Sequence, residues 1–352
     1  MKKNISPTEK QAPPPNAELS AARTGAASHA GGASRGLRIH RRDQAAGMLF
    51  AAPYLIGAAL FLVLPLCIAV YYSFCHYTML QPPIWVGLRN YIGLLHDQSF
   101  RKALVNTIIY AAASLPLTLA ASVALAILLN MQVRGQAIYR TIIFLPSLVP
   151  LVATGVLWGW LLNSDKGLVN YLLEPVVRLV GRVLAAIVGL LGASPGEVHA
   201  LRGLSPPVWL ADPHWAMPVI IFLSLWGIGQ TVVIFLAGLQ DIPRELYEAA
   251  NMDGAGTFQR LRHVTLPMLS PVIFFNLIMG VIGSWQVFDL PYVMTQGGPD
   301  KTTLFYSMYV FNAGMKQLRM GAASAMAIVQ LCIILLLTAV AFWSARKWVH
   351  YT

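Results

Sequence analysis

Charge is what this sequence has least of. Only 11% of its 352 residues are charged, against 57% hydrophobic, where a soluble domain carries about 25% charged residues. That shortfall excludes an ordinary soluble domain and places the chain in the membrane class. Acidic groups are scarcest, 14 against 25 Lys and Arg, which leaves a formal net charge of +11. The basic residues are dispersed and flank apolar runs, so lipid headgroups and topology explain them, and nucleic acid is not a partner. Cysteine is nearly absent too. Cys67, Cys75 and Cys332 form no CxxC pair, which leaves no disulfide framework and no metal-ligand set. No Gly-Lys dipeptide occurs anywhere, so a GxxxxGK[ST] phosphate loop is excluded. No acid sits in the middle of an apolar run, and Asp289 falls only near the end of the fifth. That counts against a carrier driven by protons or sodium, which needs coordinating charge at mid-membrane.

What is present is six apolar runs, approximately Met48–Phe74, Ala103–Asn130, Thr141–Leu162, Trp215–Leu239, Leu269–Val293 and Ala322–Ser344. Each is long enough for the roughly 20 helical residues that cross a bilayer. Residues 1–45 are rich in Pro, Ala, Gly and Ser without an apolar period, and read as a disordered basic tail. The tail ends in Arg35, Arg38, Arg41 and Arg42, which hold the N-terminus inside; its length argues against a cleaved signal peptide. Residues 170–191 are apolar but carry Glu174, Arg178 and Arg182, each expensive at a bilayer centre. They read as an amphipathic external helix within an insertion over 170–206. With six spans, both termini and the loop over 241–267 are cytoplasmic.

That loop concentrates charge: "DIPRELYEAANMDGAGTFQRLRHVTLP". Asp241 is an expected N-cap, with Pro243 and Glu245 in the first turn. Leu246, Ala249 and Ala250 share one side at helical spacing, and Gly254 and Gly256 permit a backbone reversal. From these residues alone two readings stand. One is a surface for a partner protein. The other is a solvated helix against inner headgroups, with Arg260, Arg262 and His263 facing phosphate.

The stretch Glu248-Ala249-Ala250, then three residues ending in Asp253, then Gly254, then Val264 and Leu266-Pro267 resembles the EAA signature of ABC-importer permeases. Val264 stands where Ile is most frequent. "VGLRNYIGLL", "FLPSLVP", "FLAGLQDIPRELYEAA" and "VMTQGGPDKTT" resemble the carbohydrate-uptake branch, the permease that pairs with a second permease in maltose- and glycerol-phosphate-type systems. The resemblance covers roughly residues 46–350. It implies an all-α membrane protein, the type I ABC importer permease fold with six transmembrane helices and a cytoplasmic coupling helix, in the bacterial inner membrane. It also implies an alternating-access transport subunit that is not an enzyme and has no cofactor of its own. ATP and Mg would be bound by cytoplasmic ATPase subunits. The other implied partners are a second permease, an external solute-binding protein, membrane lipids and a carbohydrate-like solute. Glu248, Ala249, Ala250, Asp253, Gly254, Leu266 and Pro267 would then couple to the ATPase.

For the solute path, polar and small residues recur inside the apolar runs. Ser224, Gly227 and Thr231 lie at i, i+3 and i+7, with Gln230 alongside; Asn276, Gly280, Ser284 and Phe288 are each four apart, with Trp285 and Gln286 adjacent. Polar groups in hydrocarbon face protein or a cavity, and helix packing is the competing reading, stronger for the glycines and Asn276. An aromatic ring beside amides and hydroxyls at Ser284, Trp285, Gln286 and Phe288 suits a sugar. An ion-coupled carrier and a non-transporting membrane scaffold are the alternative functions.

Overall fold

The structure, a computed structural model, describes residues 46–350 other than 132–133, 192–193, 195, 197–198, 200 and 202–204. The tail expected over 1–45 lies outside the described residues, as does part of the 170–206 insertion. The chain divides into two units, one ending at Ile68 and one from Ala69 onward. Most of α1 (Ala46–Ser73) belongs to the first.

The second unit continues with a hairpin of β1 (Cys75–Thr78) and β2 (Gln81–Trp85), then α2 (Arg89–His96) and α3 (Gln98–Asn130). Next come α4 (Gln136–Leu148), α5 (Leu151–Leu161), α6 (Leu168–Leu190), α7 (Pro213–Leu223) and α8 (Gly229–Gln240). The charged loop holds α9 (Arg244–Met252) and α10 (residues 257–268, with a π-helical turn at Leu261–Thr265). Last are α11 (Ser270–Trp285), α12 (Asp289–Met294), α13 (Tyr306–Phe311) and α14 (Met320–Ala345).

Helix forms at all six expected runs, but not as six straight spans. Among the described residues, four stretches are long and apolar enough to cross a membrane unaided: α1, α3, α11 with α12, and α14. The third run is a pair, α4 and α5, bent by 96°. Pro150 forces the residue before it out of the helical region, and Val149 is accordingly extended, at φ −76° and ψ 129°. The fourth run is two short helices of 11 and 12 residues. At 1.5 Å per residue each falls well short of the roughly 30 Å hydrocarbon core. The turns at 224–228 that separate them were expected to be continuous helix. There Ser224 Oγ donates back to the Ile221 carbonyl at 2.6 Å, a local bond that competes with helix continuation.

The central post is α3, 33 residues long, about 50 Å at helical rise. Toward its C-terminal end Ala126 and Leu129 pack with Val232, Phe235, Leu236 and Leu239 of α8 and with Leu269. At its N-terminal end Phe100 joins Trp285, Tyr306, Met326 and Ile334 in a second core. The 295–305 connection is stitched to the same end. Asn106 Nδ2 donates to the carbonyls of Lys301 and Leu304 at 2.7 and 3.0 Å, and Thr107 Oγ1 accepts from Tyr306 N at 2.9 Å.

Asp97 joins three elements there. Its carboxylate caps α3 by accepting from the amides of Ser99 (2.8 Å) and Phe100 (3.3 Å), and it accepts from the Tyr309 hydroxyl. Burial alone would raise its pKa. The Tyr309 bond, the two amides and the charge of Arg319 at the start of α14 outweigh burial and hold it below the ordinary value. Tyr309 is pushed up to about 12 by burial and by this carboxylate.

Two expectations follow. The folded Asp97 pKa is depressed, so its stabilisation is complete above the ordinary carboxyl value of about 3.9 and is lost as pH falls through the lower folded value. In detergent melts, Asp97→Ala should cost about 1 kcal/mol at neutral pH, the usual worth of an N-cap, and that difference should vanish in acid. At the second site, a Cβ on Gly229 would lie 2.8 Å from the Ile143 carbonyl oxygen and 3.0 Å from Phe144 Cα, whereas one on Gly227 meets nothing within 4 Å. Gly229→Ala should therefore lower stability by about 1–3 kcal/mol through overpacking, while Gly227→Ala leaves the melting temperature nearly unchanged.

Candidate functional site

The charged loop folds as a braced helix–turn–helix. Pro243, extended at ψ 133°, occupies the N-cap of α9 without a side-chain bond. Asp241, expected to cap this helix, instead closes α8, its amide donating to the Ala237 carbonyl. The extended proline delays helix entry to Arg244, which still leaves Glu245 in the first turn, where a negative charge suits the helix dipole. The exit is as the spacing predicted. Gly254 has φ +75°, a region that costs other L-residues roughly 1–2 kcal/mol. Ala255 N donates to the Ala250 carbonyl at 2.9 Å and Gly254 N to Asn251 at 3.1 Å, the paired bonds of a Schellman ending.

Two further contacts fix the second helix against the first. Arg260 Nη1 donates to Asn251 Oδ1 at 2.7 Å, and the hydroxyls of Tyr247 and Thr265 are 3.1 Å apart. Tyr247 also packs on the α3–α8 core beside buried Ile242. Arg260 is thus a brace within the loop rather than a headgroup contact. Glu248, Ala249 and Asp253 are exposed; Ala250 is half-turned inward, Leu266 is at the margin of exposure and Pro267 is half-buried at the foot of α11.

Sequence reasoning missed the most exposed apolar groups of this loop. Met252 is 90% and Phe258 71% exposed, on either side of the glycine turn, with Leu246 at 40%. Large apolar side chains this bare on a polar loop are candidates for contact with a partner. The signal was their position: Met252 directly precedes the Asp253–Gly256 turn, and Phe258 follows it after one residue.

The other candidates lie at helix breaks. Ser224 ends α7, Gln230 opens α8 as an exposed amide, and Thr231 is half-buried beside it. In the fifth span α11 stops at Trp285, Gln286 is exposed, and Phe288 stacks on Tyr292 with centroids 5.0 Å apart. The expected stripe through Phe288 therefore ends at Ser284, because the helix does. Two of the residues are structural in this chain. Trp285 is 4% exposed in the core with Tyr306, and its carbonyl accepts from Gln330 Nε2 (2.6 Å) and Ser307 Oγ (3.1 Å). Buried Ser284 donates to the Val281 carbonyl of its own helix. Asn276 and Gly280 pack as the competing reading had it: Asn276 is buried against Val272, and a Cβ on Gly280 would meet Leu115.

The breaks are neighbours. Trp158 of α5 meets Trp226 edge-on at 5.2 Å, and Gly155 lies against Val293 of α12. Beside them the buried polar atoms Thr154 Oγ1 and Trp158 Nε1 have no partner among the described residues, a debt of about 1–3 kcal/mol each unless water or a solute hydroxyl meets them. Neither stood out in the sequence, since Thr and Trp in an apolar run are ordinary packing residues.

Residues 99–350 match the family described as binding-protein-dependent transport system inner membrane component. The probable ABC transporter permease protein YesP of Bacillus subtilis is 36% identical, over 89% of this chain and 94% of its own length. The lactose transport system permease protein LacF of Rhizobium radiobacter is 32% identical over 86% and 94%. The sulfoquinovosyl glycerol transport system permease protein SmoG of Agrobacterium fabrum is 31% identical over 85% and 89%. A solved bacterial ABC transporter involved in the import of the acidic polysaccharide alginate superposes with a TM-score of 0.71 at 23% identity, covering 88% of this chain and 99% of that one. Matched from the start of α3 to its C-terminal end, this chain belongs to the binding-protein-dependent transport inner-membrane family, the multi-pass, non-enzymatic permease subunits of ABC importers with the type I fold.

Proposed function

We propose that this permease imports a carbohydrate-like solute by alternating access, driven by cytoplasmic ATPase subunits that dock on α9 and the turn after it. The observation that carries the proposal is the exposure of Leu246, Ala249 and Met252 on a helix tied back to the core through Tyr247, with exposed Phe258 on the helix after the glycine turn. Glu248 and Asp253 supply charge at its edge, and Leu266 and Pro267 lead the loop into α11. Shifting a transporter from 1:99 to 99:1 between two states needs about 5.5 kcal/mol of differential interaction. Only a rigid element delivers that, and the Gly254 turn with the Arg260–Asn251 bond makes one. ATP and Mg belong to the ATPase in this reading.

Topology follows from the same end of the molecule. His350 N donates to Ser270 Oγ at 2.9 Å, and Trp348 packs on Phe274. The C-terminal residues therefore lie beside the foot of the charged loop, which supports a reading with both on the cytoplasmic face and the N-terminus there as well. In that reading the 75–85 hairpin, α6 and the Asp97 junction face outward, toward a solute-binding protein. A second, similar permease completes the pore.

The solute class rests on relatives named for lactose and sulfoquinovosyl glycerol transport and on what the breaks present. Gln230, Gln286, Ser224, Thr231 and the Thr154 and Trp158 groups without partners among the described residues offer uncharged donors and acceptors, and Phe288 stacked on Tyr292 offers an aromatic face. Hydroxyl rims and apolar ring faces match that combination.

Gly254→Pro should abolish ATPase retention in a detergent pull-down without preventing membrane insertion, because proline cannot adopt φ +75° and has no N–H for the Asn251 carbonyl. Met252→Asp and Phe258→Asp should each weaken retention about 30-fold, the scale of a 2 kcal/mol hot spot. If the wild type retains no ATPase, or the variants retain it equally, the docking assignment fails. Gln230→Ala and Gln286→Ala should each reduce uptake of the solute in proteoliposomes up to about tenfold, one neutral hydrogen bond apiece; unchanged uptake would remove those amides from the pathway.

A further inference from the structure

We propose that α6 is an interfacial anchor, lying in the outer leaflet with its Leu/Val stripe among acyl chains and its arginine edge at anionic headgroups. Leu172, Val176, Leu179, Val183, Ile187 and Leu190 recur at i, i+4, i+7, i+11, i+15 and i+18, and each is about half exposed or more. This is one unbroken apolar stripe along a 23-residue helix. Its only buried positions are Gly181 and Ala185, which lie off that stripe. Glu174, Arg178 and Arg182 run along the other side, four apart. Glu174 pairs with Arg178, which leaves the edge basic through Arg182.

Three features select lipid over the alternatives. A spanning helix would carry those three charges and Pro175 through hydrocarbon, whereas a helix in the interface keeps them at headgroup level. A protein-docking face is typically anchored by a few aromatic or arginine side chains in pockets; this stripe is uniform Leu, Val and Ile to its last residue, Leu190, 89% exposed. The helix is also tethered where an interface would lie. Asn170 donates to the Ser164 carbonyl at 3.0 Å and accepts from Trp209 Nε1 at 2.6 Å. Trp209 packs edge-on to Trp215, while Tyr171 and Trp160 stand out at 74% exposure each. Amphipathic aromatics of this kind sit at headgroup depth.

The test uses the full chain in nanodiscs containing anionic lipid. Cys67→Ser and Cys332→Ser remove the two exposed thiols; Cys75 is buried and stays. A spin label is placed at Val183→Cys on the stripe, or at Gly189→Cys, exposed and seven residues on from Arg182 on the arginine edge. The Val183 label should lie about 5–10 Å below the phosphates, with an oxygen-to-nickel collision ratio several-fold above that at Gly189. Equal water exposure at both would show a face awaiting a soluble protein and overturn the proposal. Shielding of Val183 from oxygen and nickel alike would show cover by another subunit and do the same. A label at the bilayer centre would make α6 a span, also overturning it. The choice of leaflet rests on the topology proposed above. An impermeant reductant added to proteoliposomes reads it separately: reaction at Gly189 from outside supports that topology, and reaction only from inside overturns the leaflet while leaving the depth result intact.

Discussion

Inside hydrocarbon there is no water to take up a free backbone N–H or C=O, and every interruption of a helix must be answered by protein. This permease interrupts three of its spans, answering two within the local turn and the third from other elements. At the third, Val149 N donates to the Pro146 carbonyl at 3.2 Å and Ser147 Oγ to that of Phe144 at 2.7 Å. At the fourth, tightened turns bring Leu225 N to Phe222 and Trp226 N to Leu223, both at 3.0 Å. At the fifth, the Trp285 carbonyl is taken by Gln330 and Ser307 from other elements. Two of the breaks lie against each other, Gly229 of the fourth run facing the Ile143 carbonyl, Ser147 and Phe144 of the third.

The charged loop solves the opposite problem. It stands in water, where helices of nine residues are not stable alone, yet it must hold one shape. Its order comes from the ends: an extended proline at entry, a left-handed glycine at exit, and Tyr247 anchored in the core below. The apolar tip is then free to face outward without the loop collapsing around it. One side of this loop is bonded to the bundle and the other is bare.

The two ends of α3 divide the labour. One end carries the core beneath the loop; the other, capped by Asp97, gathers α13, α14 and the 295–305 connection. In that connection Gln296, Asp300 and Lys301 sit at positive φ, a backbone cost carried by the bonds to Asn106 and Thr107. A mechanical link between faces has a continuous 33-residue helix to run along.

The sequence by itself determined the class, the six helical regions, the loop and its turn. Charge scarcity, apolar run length and the reach of a glycine are local properties, and the EAA spacing lies within one loop. Asp241 was misread as a cap because the competing rule, an extended proline two residues on, acts at the same spot. Only the tertiary structure decided which spans break, that Trp285 is core, that Thr154 and Trp158 lack partners among the described residues, and that Met252 and Phe258 are bare. The reason is physical: a proline or serine permits a bend but does not compel one, since a neighbouring helix can re-satisfy the backbone. Likewise the same Trp lines a cavity or fills a core according to what lies opposite, and exposure is a property of the assembled neighbours rather than of the residue.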